Sequence, residues 1–407
     1  MKNYFIITLL LFSVYFTQAQ IVNIPDANFK NALINTPCVD TDGDGFGDID
    51  ADTNDDGEIQ ESEAEAVLSL EVRNQSISSL EGVQSFSNLV KLDCGFNQII
   101  SLNVTQNQSL EILRCNNNHL TSLDIAQNSN LEWLYCNINQ LSSLDVSQNS
   151  YLKRLLCSNN LLTSLDVTQN LNLERYYIYN NQLTSINVSE NSNLKRLDCD
   201  SNQLTNLDVS QNPNLLDLYC GGNQLTSLDV SQNLTLEKLS CYGNQLTNID
   251  VSQNPNLFDL YCGGNQLTSL DIKNENNHNM TRMKAFDNPN LTCIQVDDVN
   301  YANSQICEFP PGFGWCKDDW AEYSEDCNLG LSDFELYNVK IYPNPVQNTL
   351  NINSDIPFDT LKIYNIQGQL VLETKGIQID ISQINSGLFF ASIMIDRKNI
   401  VKKFIKN

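Results

Sequence analysis

Nine leucines, Leu89, Leu110, Leu131, Leu152, Leu173, Leu194, Leu215, Leu236 and Leu257, follow one another at intervals of 21 residues without a slip. Register that strict marks stacked copies of one supersecondary unit. The copies read L-x-x-L-x-C-x-x-N-Q-L-T-S-L-D-V-S-Q-N. A looser copy precedes them (Val67, Leu70, Val72, Ile77, Leu80), and another follows after a two-residue insertion (Met280, Met283, Ala285, Asn288, Leu291). Within a copy, Leu134-Tyr135-Cys136 alternates in-out-in, as a short strand requires. After a turn carrying an Asn, the S-L-D-V run returns a second apolar pair, such as Leu144 and Val146, to the same interior. One copy cannot bury its leucines alone, whereas eleven stacked copies share a continuous core. Each buried leucine contributes ~2 kcal/mol, and strands ~4.8 Å apart predict a sheet roughly 50 Å long. The rest of each coil is too short for a helix of usual length.

This pattern closely resembles leucine-rich repeats over about residues 65–296. The fold class expected is α/β to mainly β: a curved leucine-rich-repeat solenoid with a parallel concave sheet, capped at both ends, plus a small C-terminal β-sandwich. Two asparagine columns, Asn97 to Asn265 and Asn107 to Asn254, read as structural, because a buried amide can satisfy backbone groups that turns leave unpaired. Cys94, Cys115, Cys136, Cys157, Cys199, Cys220, Cys241 and Cys262 occupy one inward slot, which Ile178 fills once. A slot that takes Cys or Ile wants a compact hydrophobe. Parallel neighbours hold their Cβ atoms about 4.8 Å apart, wider than a disulfide favours, and a metal would need clustered thiolates. These thiols are expected to be buried, reduced and inert.

Four other cysteines lie beyond the last regular repeat, where the open core must be covered. Of their three possible pairings, Cys293–Cys327 would close the whole cap and Cys307–Cys316 the loop "CEFPPGFGWC", leaving Cys38 without a partner. At the other end, "IPDANFKNALI" (24–34) spaces Phe29, Leu33 and Ile34 for a short amphipathic capping helix. Next, Asp52-x-Asn54-x-Asp56-Gly57-x-Ile59-x-x-x-Glu63 matches the EF-hand-type calcium loop at every defining position. Alternate side chains of a tight loop converge on one ion. Asp52, Asn54 and Asp56 would give oxygens, Glu58 its backbone carbonyl and Glu63 a bidentate carboxylate to a structural Ca²⁺. The upstream run Asp40-x-Asp42-x-Asp44-Gly45 starts the same pattern but meets Ala51 where the closing acid should stand, and is more like the Asp-rich loops of thrombospondin-type repeats. The helix "ESEAEAV" then leads into the first coil.

The chain begins with Lys2, an apolar run (5–16) and a small-residue site ending at Ala19, the layout of a cleaved secretory signal. The run is too short to span a bilayer, and no later segment qualifies, so no transmembrane segment is expected in the mature chain. In the last 70 residues "VKIYPNPVQNTLNI", "DTLKIYNIQGQLV", "IQIDIS", "GLFFASIMI" and "KNIVKKFIK" are strand-length alternating runs, which suggest a small β-sandwich. The phrases "YPNP", "LKIYNIQGQLV", "INSGLFFASI" and "KKFIKN" resemble the type A sorting domain of the type IX secretion system over 339–407. That resemblance implies a Bacteroidetes source and export by the type IX secretion machinery, with attachment to the cell surface or release. The organisation expected is a signal peptide (1–19), an Asp-rich N-terminal cap (20–66), repeats (67–296), a disulfide cap and linker (297–330) and the sorting domain (331–407).

A formal net charge of -26 repels nucleic acid and anionic lipid. The function expected is a secreted or cell-surface binding protein whose concave face holds an extracellular protein or carbohydrate. Outward strand positions collect Trp133, Tyr135, Arg154, Arg175, Tyr177, Tyr179, Arg196, Tyr219, Tyr242 and Tyr261, residue types that anchor interfaces. No nucleophile elbow, histidine metal motif or phosphate loop points to an enzyme. Repeated carboxylates at Asp145, Asp166, Asp208 and Asp229 leave a polysaccharide-acting hydrolase as the alternative, and a passive structural surface protein as the second alternative.

Overall fold

The computed structural model describes residues 20–307, 314–327, 339–354, 357–395 and 398–407, with 398–400 as backbone alone. The expected signal segment, the middle of the Cys307–Cys316 loop and most of the linker before the last domain lie outside these residues. The chain divides into two compact units, Met1–Glu325 and Asp326–Asn407.

In the first unit each repeat contributes a three-residue strand, as at Trp133–Tyr135, with its middle residue buried. These strands pair in parallel in repeat order, Leu113 beside Leu134 beside Leu155, and form one twelve-stranded sheet. Repeat arithmetic accounts for eleven strands; the cap supplies the twelfth. Gly314–Cys316 adds in parallel beside Arg282–Lys284, and the Trp315 indole donates to the Met280 carbonyl at 2.9 Å. The loop expected as an excursion is therefore in part the edge of the main sheet. Edge strands left bare invite pairing with other chains, so covering the last coil with a disulfide-held segment suits that position. The opposite wall is more regular than expected over the last repeats, where the S-L-D positions form a four-stranded sheet that includes Asn248–Asp250 and Ser269–Asp271.

A single apolar core runs from Val22 to Ala321. All eight column cysteines and Cys38 are free and buried. Burial pushes the Cys38 thiol up to about 12 and the column thiols well above their ordinary value. Cys307 is bonded to Cys316, and Cys293 and Cys327 are both disulfide-bonded.

The asparagine columns rivet the coils together in two different ways. Asn118 accepts from the Ile99 N–H at 3.0 Å and donates to the carbonyls of Cys94 and Cys115, both at 3.0 Å, so one amide ties two coils. In the second column Asn149 donates to the carbonyls of Ile125 and Asn128, while its own buried oxygen has no partner.

The N-terminal cap begins with helix α1 (Ala27–Asn35), which buries Phe29 and Leu33. Asp26 receives the N–H groups of Asn28 and Phe29 on one oxygen and those of Ser78 and Ser79 on the other. The carboxylate that caps the helix thus also fastens it to the first coil. Helix α2 (Glu61–Ala66) follows, held by a capping box between Gln60 and Glu63.

The second unit contains an antiparallel three-stranded sheet and an antiparallel four-stranded sheet around its own core. The longest pairing joins Gly387–Ile395 to Lys398–Lys406.

Candidate functional site

Strand register turns the outward residues into three straight columns across the concave sheet. One runs Trp133, Arg154, Arg175, Arg196, Asp217. The next runs Tyr135, Leu156, Tyr177, Asp198, Tyr219, with Tyr261 two strands further on. Tyr179, Asp200 and Tyr242 lie just past their strands on a third line. The structure therefore brings all ten expected contact residues onto one face, each half-buried or exposed.

What those rings do differs from the sequence reading, which treats their faces as free anchors. The Arg154 guanidinium lies 4.4 Å from the centroid of Trp133. Arg196 is sandwiched near Tyr177 and Tyr219, at 5.0 and 4.6 Å, and Arg114 lies 5.3 Å from Tyr135. Cation–π contact of this kind holds a flexible cation in place while leaving its N–H edge available. The aromatic columns support the arginines.

Asp198 falls in the outward middle column where the repeat puts it, but Asp200 and several other members of the face have no counterpart in the sequence reading. Asp198 and Asp200 sit among the tyrosines, and burial raises both carboxyls; Asp200, with Asp198 beside it, is pushed up to about 7. Asp200 accepts the Gly221 N–H at 2.5 Å. At the N-terminal end the loop Gly43–Gly47 lines an open cleft of about 740 Å³ together with Glu71, Arg73, Lys91, Arg114 and Trp133. No periodicity could announce it, because the loop lies outside the repeat.

The carboxylates at Asp145, Asp166, Asp208 and Asp229 lie on the opposite wall, outside this face. Each accepts a backbone N–H two residues on, at 2.9 Å, and that bond lowers the first three; at Asp229 the Ser231 hydroxyl contributes most. They are turn-makers.

In the Asp-rich cap, Asp52 accepts from Asp56 and Gly57, Asn54 from Asp56, and Asp56 from Glu58, so the loop is already coiled. Gly57 takes φ +83°, a left-handed turn that suits glycine. Asn54, Asp56, Gln60 and Glu63 line a cleft of about 380 Å³. Glu63 accepts from Thr53 and from the Gln60 N–H, and the Glu58 side chain is taken by Lys30 at 2.6 Å, which leaves the Glu58 carbonyl as its expected ligand group. Among the described residues, the group of three acidic side chains whose oxygens all come within 4.8 Å of one another is Asp40 and Asp42 of the upstream run with Asp48 just beyond it. Lys91 stands 3.4 Å from Asp40 there.

Residues 340–407 match the family described as the secretion system C-terminal sorting domain. This segment is a sorting domain. It marks the chain as one exported through the type IX machinery and attached at the outer surface, and implies a Bacteroidetes origin. No helix among the described residues is long and apolar enough to cross a membrane. The structure is similar to the internalin InlF of Listeria monocytogenes at 19% identity and a TM-score of 0.55, covering 76% of this chain and 99% of that one. That likeness establishes the leucine-rich-repeat fold. A leucine-rich-repeat protein of Leptospira interrogans is 27% identical over 58% of this chain and 70% of its own, with a TM-score of 0.49. The functional domain of InlJ from Listeria monocytogenes, described as including a cysteine ladder, is 21% identical over 96% of this chain and 99% of its own, with a TM-score of 0.34. No curated protein matches the chain.

Proposed function

We propose that the solenoid which the sorting domain delivers to the cell surface is a recognition module that holds an extracellular protein or carbohydrate along its concave sheet. The observation that carries this reading is the ring-supported arginine cluster on one rigid face. Rigid aromatic and arginine side chains lose little entropy on docking and dominate interface energetics. Calcium belongs to the same proposal. The coiled loop with Asp52, Asn54, Asp56, the Glu58 carbonyl and Glu63 offers the all-oxygen donor set that a hard cation takes. Bound there, the ion would fix the N-terminal cap against the first coil.

Arrays of glycans and of extracellular proteins, probed with the exported protein with and without calcium, test both parts. Tyr135→Ala combined with Tyr177→Ala abolishes capture while leaving the thermal transition in place; unchanged capture removes the concave face as the site. A hydrolase reading draws on one observation, the raised carboxyl of Asp200 beside Asp198 on the same face. Release of reducing ends from a captured polysaccharide, lost in Asp200→Asn, would establish it in place of binding alone.

A further inference from the structure

Charges on the main sheet are compensated almost strand by strand. Arg114 pairs with Asp93, Arg196 with Asp217, and Arg282 with Asp259 at 2.8 Å. On the flanking column Lys153 pairs with Glu132 at 2.7 Å and Lys195 with Glu174 at 3.0 Å. Arg154 and Arg175 break the pattern. They are direct register partners on adjacent strands, Arg175 is followed by Arg196 on the next strand, and neither forms an ion pair among the described residues. Three arginines thus stand on consecutive strands, their backbones ~4.8 Å apart, in a chain with 49 acidic and 23 basic residues.

The fold does not require them. The same slot holds Ile112, Trp133, Asp217 and Lys238 in other coils, so its side chain is free to vary without disturbing the core. Like charges held side by side are unfavourable unless an anion joins them. Arg154 is nonetheless held in place by the Trp133 ring, with its N–H edge left for a partner.

We infer that Arg154 and Arg175 are the anchor for an acidic polysaccharide lying along the solenoid axis, its carboxylate or sulfate groups received by successive guanidiniums. This rests on the concave face being the binding surface. The surface beside the arginines favours a sugar chain over an acidic peptide. Beside the arginines, Leu156 and Tyr177 are register partners in the next column and offer an apolar strip to the C–H face of a sugar ring. Guanidinium forks also match the planar oxygens of carboxylate and sulfate.

The test uses the exported full chain and four probes: polygalacturonate, dextran sulfate, neutral dextran and poly-glutamate, with affinity read by calorimetry at two salt concentrations. Binding of polygalacturonate or dextran sulfate but not neutral dextran is expected, and the stronger of the two identifies the acid group. Arg154→Ala with Arg175→Ala lowers that affinity at least tenfold and flattens its salt dependence, while Lys153→Ala with Lys195→Ala, whose ammoniums are already paired, changes it less than twofold. Poly-glutamate bound better than either polysaccharide overturns the inference, as does an affinity that the arginine substitutions leave unchanged. If the arginine pair has no effect but Tyr135→Ala with Tyr177→Ala still abolishes capture of an array ligand, the ligand class falls and the concave face stands. If neither pair matters, both fall.

Discussion

The ring of Tyr242 lies flat across Gly221, one coil back on the same line of the concave face: a Cβ built on Gly221 would meet the ring carbons at 2.3 and 2.4 Å. The tyrosine rests where only a hydrogen can stand beneath it, with Ser201 and Asp200 close to its hydroxyl end. Gly221 has no positive φ to defend, unlike Gly222 at +60°, so its side-chain-free state serves the ring alone. Gly221→Ala is expected to lift Tyr242 off the sheet while changing stability by less than about 1 kcal/mol. Its effect on ligand affinity should equal that of Tyr242→Ala, and the double variant should add nothing further. An additive double variant would show that the glycine serves something other than the ring.

The residue before each column asparagine is left-handed in every regular coil, from Phe96 at φ 57° through Asn117, Ile138, Asn159, Asn180 and Ser201 to Gly222, Gly243 and Gly264. This explains the recurrence of Cys-Gly-Gly-Asn late in the array: the third position needs a conformation that L residues with a β-branch resist. Ile138 is such a residue, and its side chain is exposed, so burial gives nothing back. Ile138→Asn places there the residue that neighbouring coils use, and is expected to stabilise the solenoid by about 1 kcal/mol. Urea denaturation at constant slope checks it; no gain would mean that the isoleucine side chain makes a compensating contact.

Tyr176 is the misfit of the core. It stands in a slot that holds Leu155 and Leu197 on either side, is fully buried, and its hydroxyl finds no partner. Burial drives its titration well above the ordinary phenol range. An orphan buried hydroxyl is unfavourable by about 1–3 kcal/mol, and removing it without changing the ring leaves packing intact. Tyr176→Phe is therefore expected to raise stability by about 1 kcal/mol, whereas Tyr176→Ala opens a cavity and lowers it by about 3–5 kcal/mol. A loss of stability in the phenylalanine variant would show that the hydroxyl is paired in solution.

Much of this architecture is written in the period of 21. Leucines, cysteines and both asparagine columns fall where the repeat places them, because each is fixed by burial or by backbone hydrogen bonds that recur identically in every coil. Sequence period also finds the concave columns, since an outward slot between two inward ones needs no further information. It does not reveal that Trp133 and Tyr177 support guanidiniums, because that depends on rotamers leaning across strands. Nor does it give the loop beside Lys91 and Arg114, or Gly314–Cys316 as the last strand: a single non-repeating segment has no second copy to be read against. The left-handed slot was legible in principle from its Gly and Asn content, but Phe96 and Ile138 mask the signal.

Asp200 makes a last, pH-dependent consequence. Burial, reinforced by Asp198, pushes its carboxyl up to about 7 from an ordinary value of 3.8; the groups around it are Asp198, the Gly221 N–H, Tyr242 and, through Asp198, Arg196. Below pH 3.8 it is protonated in folded and unfolded chains alike and stability is unaffected. Between 3.8 and about 7 the unfolded chain ionises while the folded one holds its proton, so stability falls as pH rises, and above 7 the deficit is constant. A fully buried shift of this size would be worth ~4 kcal/mol; with part of the group open to solvent, about 1–2 kcal/mol is expected. Asp200→Asn keeps an acceptor for Gly221 and cannot ionise. It should match the parent protein near pH 4 and exceed it by that amount at pH 8 in denaturant titrations. An equal gain at both pH values would assign the effect to packing, and the carboxyl would then titrate as an ordinary surface acid.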